Sequence, residues 1–235
     1  MANDKFYGIE KLSLVDYEGK IACTLFTGGC NFRCPFCHNS SLVKEFDSIE
    51  EIQEEEYSSY LEKRKKTLDA VVITGGEPTL MVGLEEKIKK IKDMGYLVKL
   101  DTNCSNFLIM KHLIENKLID YVAMDIKNSI DEYFNTIGIN YNQNIINNIK
   151  SSILYLKEGH IDYEFRTTLV EELHNEESIK NIGVLLEGSD KLFLQKFIDN
   201  DNCIKQGLHQ VHMKKALEYK CLLEKYVKNV NLRGY

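Results

Sequence analysis

A chain of 235 residues with 43% hydrophobic residues is long enough for one domain with a sizeable core. Its formal net charge is −6, spread without a basic stripe, which argues against a nucleic-acid partner. No apolar run approaches the roughly 18 residues of a membrane span, and the start of the chain lacks the pattern of a secretory signal. We therefore expect a cytoplasmic protein with no nucleic-acid or membrane partner.

Six strand-like runs recur along the chain, and several of them are almost continuously apolar. Such runs are typical of strands that are covered on both faces. The runs span residues 20–29, 68–76, 96–103, 120–127, 162–170 and 191–197.

Helical patterns separate these runs. Residues 48–66 predict a helix that opens with a capping box formed by Ser48 and Glu51. Apolar residues at helical spacing predict further helices over 84–91, 108–113, 145–156, 179–186 and 213–227.

The alternation of strand and helix predicts an α/β fold with a parallel sheet. Because a closed eight-stranded barrel needs about 250 residues, six units favour a partial, open (β/α)6 TIM-type barrel. A doubly wound sheet is the alternative, since the order of pairing is not visible in the sequence. We expect a single domain over residues 1–235 with its core at about 20–200, and residues 1–19 and the helix in 211–235 as appendages.

Polar residues cluster where each predicted strand ends. In parallel α/β folds the carboxyl ends of the strands form the edge where active sites are built. The strand-end residues are, in chain order, the cysteine loop, Gly75-Gly76-Glu77-Pro78, Asp101-Thr102-Asn103, Asp125-Ile126-Lys127, Arg166 with Thr167 and Thr168, and Gln195.

Three of the seven cysteines stand within eight residues, at Cys30, Cys34 and Cys37. In a reducing cytosol such a group indicates a metal site or catalysis more often than disulfides. The spacing suits a [4Fe–4S] cluster with three protein ligands, which leaves one iron open to a substrate. Zinc with His38 as fourth ligand is the alternative. A distant fourth ligand is a further alternative, and its candidates are Cys23, Cys104, Cys203 and Cys221.

The other strand ends suit a zwitterion that carries a ribose. The segment Gly75-Gly76-Glu77-Pro78 lets the backbone approach a ligand, and its carbonyls and carboxylate suit an amino group. Its alternative reading is an ordinary strand-to-helix turn. Asp101 and Asp125 suit amine or ribose hydroxyls, and Lys127 and Arg166 suit a carboxylate. Any one of these charges alone is typical of a solvated surface, so the prediction rests on their common position.

The cysteine spacing together with the Gly-Gly-Glu-Pro segment resembles the radical S-adenosylmethionine (SAM) enzymes. The resemblance implies that Cys30, Cys34 and Cys37 hold a [4Fe–4S] cluster whose fourth iron binds the amino and carboxylate groups of SAM. It also implies that Phe36 packs near the adenine. The chemistry implied is reductive cleavage of SAM to a 5′-deoxyadenosyl radical that takes hydrogen from a substrate, with no catalytic side-chain acid or base.

A longer stretch, from Gly8 to Val43, resembles the opening of the glycyl-radical-enzyme activating proteins, and "DTN", "DIK", "RTTLV" and the terminal "NLRGY" fit the same group. Within it the chain is most similar to activators of anaerobic ribonucleoside-triphosphate reductase. The resemblance implies a glycyl radical enzyme as protein substrate and a low-potential donor such as flavodoxin or ferredoxin. The implied cofactor-binding residues are Phe36, Gly75, Gly76, Glu77, Pro78, Asp101, Asn103, Asp125, Lys127, Arg166, Thr168 and Gln195.

The chain departs from the family pattern at Glu18, where proline is frequent and only a turn is affected, and at two further places. Cys104 follows "DTN" where glycine is usual, and we interpret this thiol as a bystander. Activators of pyruvate formate-lyase carry a histidine near the last strand, where this chain reads "LQKFID", which weakens that assignment and leaves Gln195 a provisional contact. The alternative functions are activation of a pyruvate formate-lyase-type enzyme, a radical SAM reaction on a metabolite, and a zinc-binding or electron-transfer module. The remaining histidines are interpreted as surface or packing residues: His112, His160, His174, His209 and His212.

Overall fold

The structure is a computed structural model that describes residues 4–235. Within residues 4–235 the structure contains eight strands and eight α-helices. The strands are β1 Phe6–Ser13, β2 Ala22–Thr27, β3 Ala70–Gly75, β4 Leu97–Thr102, β5 Tyr121–Asp125, β6 Asp162–Leu169, β7 Lys191–Lys196 and β8 Asn229–Arg233. The helices are α1 Ser40–Lys44, α2 Glu54–Arg64, α3 Leu84–Asp93, α4 Phe107–Glu115, α5 Tyr133–Ile137, α6 Gln143–Lys157, α7 Glu176–Leu185 and α8 Met213–Leu223.

The six predicted strands are confirmed as β2 to β7. The strands follow one another in the sheet in chain order, from β1 at one edge to β8 at the other, so the sheet is open. The pairs β2–β3, β3–β4, β6–β7 and β7–β8 are parallel. The predicted open α/β fold with parallel strands is therefore correct.

Two strands were not predicted, and both lie in the segments expected to be appendages. Strand β1 pairs antiparallel with β2, and β8 extends the sheet beyond β7. Residues 1–3 of the first appendage lie outside the described part of the chain. Because both segments pair with neighbouring strands, they belong to the sheet, whereas the extent of a single domain over residues 1–235 stays a prediction.

The chain divides into two compact units. The first comprises residues 4–31 and 41–123, and the second comprises residues 32–40 and 124–235. In the first unit, small residues of β2 and β3 pack with two tyrosines in a buried cluster of Tyr17, Ala22, Ala70, Val72 and Tyr121. In the second unit, the predicted apolar face of α6 is buried at Ile146, Ile149, Ile153 and Leu156.

The predicted capping box at Ser48 and Glu51 is wrong. Helix α2 begins at Glu54, with Gln53 at the N-cap position and without a side-chain cap. Ser48 ends a short 3₁₀ helix, and the Glu51 carboxylate pairs with the Lys5 ammonium and accepts a hydrogen bond from Gln53. Three glutamates in the first turn of α2 interact favourably with the helix dipole and so favour this later start.

No helix within residues 4–235 is both long enough and apolar enough to cross a bilayer.

Candidate active site

The cysteine segment, residues 30–37, comes after β2, and the Gly-Gly-Glu-Pro turn begins at the end of β3, the strand next to β2 in the first unit. Thr27 at the end of β2 is the register partner of Gly75 at the end of β3. The backbone nitrogen of Gly76 donates to Thr27 O at 2.9 Å, and the backbone nitrogen of Glu77 donates to Gly29 O at 2.8 Å. A Cβ atom at Gly76 would lie 1.9 Å from Gly29 O, so only glycine permits this approach.

Glu77 is buried, and its carboxylate joins the turn to the end of β4. Its Oε1 atom accepts hydrogen bonds from the Thr79 backbone nitrogen, the Thr79 hydroxyl and the Thr102 hydroxyl, at 3.0, 2.7 and 2.7 Å. Its Oε2 atom accepts from the Asn103 backbone nitrogen at 2.7 Å. Burial raises the pKa of Glu77 although these donors oppose the shift. The carboxylate therefore holds the loops, and the turn's backbone carbonyls are the groups better suited to a ligand amine.

Asn103 contacts the first cysteine directly. Its Nδ2 atom lies 3.9 Å from Cys30 Sγ and donates to Asn31 Oδ1 at 3.0 Å. Asn31 in turn donates to the hydroxyl of Ser105 at 2.8 Å. The end of β4 thus fixes the start of the cysteine segment, which is a more specific role than the general cofactor contact predicted for Asn103.

Asp101 lies on the same face of β4 as a buried lysine that the sequence analysis missed. Lys99 is 2% exposed, and its Nζ atom lies 3.7 Å from Asp101 Oδ1. The same ammonium donates to Asp16 O at 2.5 Å and lies 5.3 Å from the centre of the Tyr121 ring. The signal was present in "VKLDT", because Lys99 and Asp101 are two residues apart on a strand. A charge at an apolar strand position needed a partner of opposite sign.

Cys104 is buried and adopts a left-handed backbone with φ of 54°. This conformation explains why glycine is usual at the position, since other residues adopt it at a cost. Its Sγ atom lies 3.4 Å from Met110 Sδ. The buried contact agrees with the interpretation of the thiol as a bystander.

In the second unit, Cys34 and Cys37 form a tight turn in which the Cys37 nitrogen donates to Cys34 O at 3.0 Å. Burial raises the pKa of the Cys34 thiol to about 11, and the positive charge of Lys127 opposes that shift. Phe36 between them is buried, and its ring centre lies 5.9 Å from Lys127 Nζ. The aromatic residue predicted to pack near adenine thus adjoins the lysine predicted to bind a carboxylate.

Helix α5 braces the same segment. The Arg33 nitrogen donates to Ile137 O at 2.8 Å, and Gly138 follows with φ of 66°. A Cβ atom at Gly138 would lie 2.5 Å from Arg33 O. A larger residue at this position would therefore displace the cysteine segment.

A loop after β7, residues 198–207, forms further hydrogen bonds with the segment, and sequence reasoning missed it. The nitrogens of Lys205 and Ile204 donate to Pro35 O and Cys37 O at 2.8 and 3.3 Å. His38 Nε2 lies 2.6 Å from Ile198 O, a carbonyl that requires a donor. That atom is therefore engaged by the loop, and Nδ1 is the ring nitrogen that this contact leaves for another partner. The sequence of loop 198–207, "IDNDNCIKQG", carries no periodic signal that would have predicted its hydrogen bonds with the cysteine segment.

No group of three or more His, Cys, Asp and Glu side chains arranged to hold a single metal ion occurs within residues 4–235.

A charged network joins the end of β5 to β6. Asp125 Oδ2 lies 3.0 Å from Lys127 Nζ, and Asp125 Oδ1 accepts from Arg166 Nε at 2.9 Å. Burial would raise the pKa of Asp125, but the charges of Arg166 and Lys127 hold it at about 2. Burial would lower the pKa of Lys127, but the negative charge of Asp125 outweighs burial and raises that pKa above its ordinary value. The side chains of Lys127 and Asp125 remain 18% and 26% exposed, so a ligand can reach them.

Thr168 and Gln195 are register partners on β6 and β7, and both are half-buried.

The structure brings predicted site residues together within each of the two units. The first unit joins Cys30, Gly75, Gly76, Glu77, Pro78 and Asn103, with Asp101 beside Lys99. The second joins Cys34, Cys37, Phe36, Asp125, Lys127 and Arg166, with Thr168 beside Gln195.

Sequence comparisons relate the chain to known proteins. The profile of the radical SAM superfamily matches residues 24–185. A protein of Methanocaldococcus jannaschii, provisionally named glycyl-radical enzyme activating enzyme MJ1227, is 34% identical over 234 residues, which cover 96% of this chain and 94% of that protein. The pyruvate formate-lyase-activating enzyme of Staphylococcus aureus strain USA300 is 32% identical over 137 residues, or 54% of this chain and 54% of that enzyme.

Solved structures show the same fold. A radical SAM methyltransferase from Sphaerobacter thermophilus matches with a TM-score of 0.72 at 14% identity, over 95% of this chain and 69% of that chain. SuiB from Streptococcus suis, bound to SAM, matches with a TM-score of 0.66 at 14% identity, over 87% of this chain and 48% of that chain. The chain therefore spans about half the length of SuiB. At these identities the likeness concerns the fold alone.

The superfamily profile covers well over half of the chain, and the Methanocaldococcus relative covers nearly all of it. Membership implies a [4Fe–4S] cluster, SAM and a glycyl radical enzyme as partner. The chain belongs to the radical SAM superfamily and, within it, to the glycyl-radical-enzyme activating enzymes.

Proposed function

We propose that this enzyme uses a [4Fe–4S] cluster held by Cys30, Cys34 and Cys37 to generate a glycyl radical on anaerobic ribonucleoside-triphosphate reductase. Three thiols from one short segment suit an iron–sulfur cluster, which cysteine thiolates hold. Asn103 supports the segment at its first thiol. Loop 198–207 supports the same segment at its last cysteine, Cys37.

We propose that the strand-end residues bind SAM. The Lys127 ammonium, already charged beside Asp125, suits the carboxylate of SAM, as does Arg166. The backbone carbonyls of Gly75 and Gly76 suit its amino group, and Phe36 and Asp101 suit its adenine and ribose. Pro78, Asn103, Thr168 and Gln195 complete the proposed set, with Glu77 and Asn103 acting mainly by holding the loops.

When bound, the cluster and SAM supply one-electron cleavage of a carbon–sulfur bond and a carbon radical that abstracts hydrogen. The residues of this chain supply binding, orientation and exclusion of water. We propose that a low-potential protein such as flavodoxin or ferredoxin delivers the electron.

The observation that supports a protein substrate is the similarity to a glycyl-radical activating relative, which is 34% identical over 96% of this chain. We infer the reductase as the target from the resemblance of nearly the whole chain to activators of anaerobic ribonucleoside-triphosphate reductase. A pyruvate formate-lyase-type partner is the second candidate, and the match to the Staphylococcus activating enzyme over 54% of the chain favours it.

The test is anaerobic incubation of the reconstituted enzyme with SAM, a reductant and each candidate partner in turn. We expect an electron paramagnetic resonance doublet of a glycyl radical on the reductase. A doublet on a pyruvate formate-lyase-type enzyme alone would retain the enzyme class and replace the target. Formation of 5′-deoxyadenosine with a doublet on neither partner would contradict both assignments.

A further inference from the structure

His174 lies in the turn that follows β6 and is 1% exposed. Its Nε2 atom lies 3.0 Å from Lys127 O, and its Nδ1 atom lies 3.1 Å from the Val170 backbone nitrogen. Its own carbonyl accepts a hydrogen bond from the Tyr219 hydroxyl of α8 at 3.2 Å. The ring therefore connects two strand-end segments that are 47 residues apart in sequence.

These contacts determine where the ring carries its proton. Lys127 O is an acceptor, so Nε2 must donate to it. Nδ1 lies 3.1 Å from the Val170 nitrogen and 3.2 Å from Val170 O, and the Val170 N–H is a donor to it. Only the neutral tautomer with hydrogen on Nε2 forms both bonds. Burial lowers the pKa of His174, which agrees with a neutral ring.

The segment held by His174, residues 126–128, has no regular secondary structure, and hydrogen bonds with β6 and with the turn after β6 fix it. Asn128 Nδ2 donates to Leu173 O at 2.8 Å, in the opposite direction to the bond from His174 to Lys127. The Thr167 hydroxyl donates to Ile126 O at 2.9 Å. These bonds fix the backbone on both sides of Lys127.

We propose that His174 is a positioning residue that presents the Lys127 ammonium to the carboxylate of SAM. The inference rests on the proposed binding of SAM by Lys127. The side chain of Lys127 is oriented by Asp125 at 3.0 Å, but its backbone is oriented by His174. Loss of the ring would leave the partly buried Lys127 carbonyl without this donor and let the segment shift, and the ammonium would move with it.

The experiment compares His174→Leu with His174→Gln in the holoenzyme by equilibrium binding of SAM. Leucine fills space without a donor, whereas the glutamine amide can donate to Lys127 O. We expect His174→Leu to weaken SAM binding about tenfold with iron content unchanged, and glutamine to restore most of the loss. Equal affinity in wild type and His174→Leu would overturn the inference.

The double variant His174→Leu/Lys127→Ala separates positioning from general destabilisation. If His174 acts through Lys127, the double variant binds SAM as Lys127→Ala does, whereas fully additive losses would contradict the inference. Lys127→Ala alone also distinguishes the two proposals. An unchanged affinity in that variant would remove the proposed role of Lys127, whereas a loss there with none in His174→Leu would remove only the role of His174.

A further readout uses the apoprotein and needs no bound group. Nitrogen-15 NMR of the histidines should show His174 protonated on Nε2 and unprotonated on Nδ1 at neutral pH. A His174 ring with its single proton on Nδ1 would contradict the proposed bond to Lys127. If His174→Leu does not fold, this spectrum and the comparison of His174→Gln with His174→Asn, which is too short to reach Lys127, decide the question.

Discussion

The carboxylate of Glu77 accepts a 2.7 Å hydrogen bond from the backbone nitrogen of Asn103, and this bond joins the ends of β3 and β4. The amide of Asn103 then contacts Cys30. A side chain predicted to face a ligand amine therefore fixes the geometry of the first cysteine.

Replacement of Glu77 by alanine should destabilise the fold and loosen the cysteine segment. The change leaves buried donors of Thr79, Thr102 and Asn103 without their acceptor, at a cost of about 1–3 kcal/mol for each unsatisfied group. Urea unfolding of the apoprotein measures the loss. Glu55→Ala, at an exposed position of α2, is the matched control and should change stability by less than about 0.5 kcal/mol. A Glu77→Ala protein as stable as that control would contradict the role of Glu77.

Each of the three clustered cysteines should be essential for iron binding. Cys30→Ser, Cys34→Ser and Cys37→Ser should lose most iron after anaerobic reconstitution, because each removes one of three proposed ligands. Cys221, which is exposed on α8, provides the control substitution, and Cys221→Ser should retain iron. Iron analysis and the visible absorbance of each reconstituted variant measure its iron content. Retention of four irons and SAM cleavage by Cys34→Ser would refute the ligand assignment.

Lys127→Ala should weaken SAM binding about tenfold or more and leave the cluster absorbance intact. A charge-assisted hydrogen bond contributes about 1.5–3 kcal/mol, which corresponds to that loss of affinity. Lys150→Ala on the exposed face of α6 is the control. Isothermal titration of holoenzyme with SAM gives both affinities. Identical binding by the two variants would place the carboxylate contact elsewhere.

The strands were predictable and several of the contacts were not. Continuous apolar runs identify β2 to β7, but β1 alternates with charged residues and β8 is only five residues long, so neither gave a comparable signal. Residue types that can bind a ligand were identifiable at the strand ends, because the apolar runs show where each strand ends. The roles of Glu77, Lys99 and His174 depend on hydrogen bonds between distant segments, which spacing along the chain does not specify.

Stability should fall below about pH 6.5 partly because of His174. Its pKa is lowered in the folded state, so the unfolded chain binds a proton that the folded chain rejects. Stability from this group is complete above the unfolded pKa and declines as pH falls through it, by up to about 1.4 kcal/mol for each pH unit. We expect His174→Gln to show a smaller loss than wild type between pH 7.5 and 5.5 in urea unfolding. An equal loss in both proteins would show that His174 is readily protonated when folded.

Transfer of a deuterium atom from the partner's glycine to SAM-derived product tests the central claim most directly. The candidate reductase is produced with α-deuterated glycine and incubated anaerobically with this enzyme, SAM and a reductant. Mass spectrometry of 5′-deoxyadenosine should find one deuterium per molecule, in an amount that matches the glycyl radical formed. Product without deuterium, in the presence of a fully labelled and competent partner, would contradict hydrogen abstraction from that glycine.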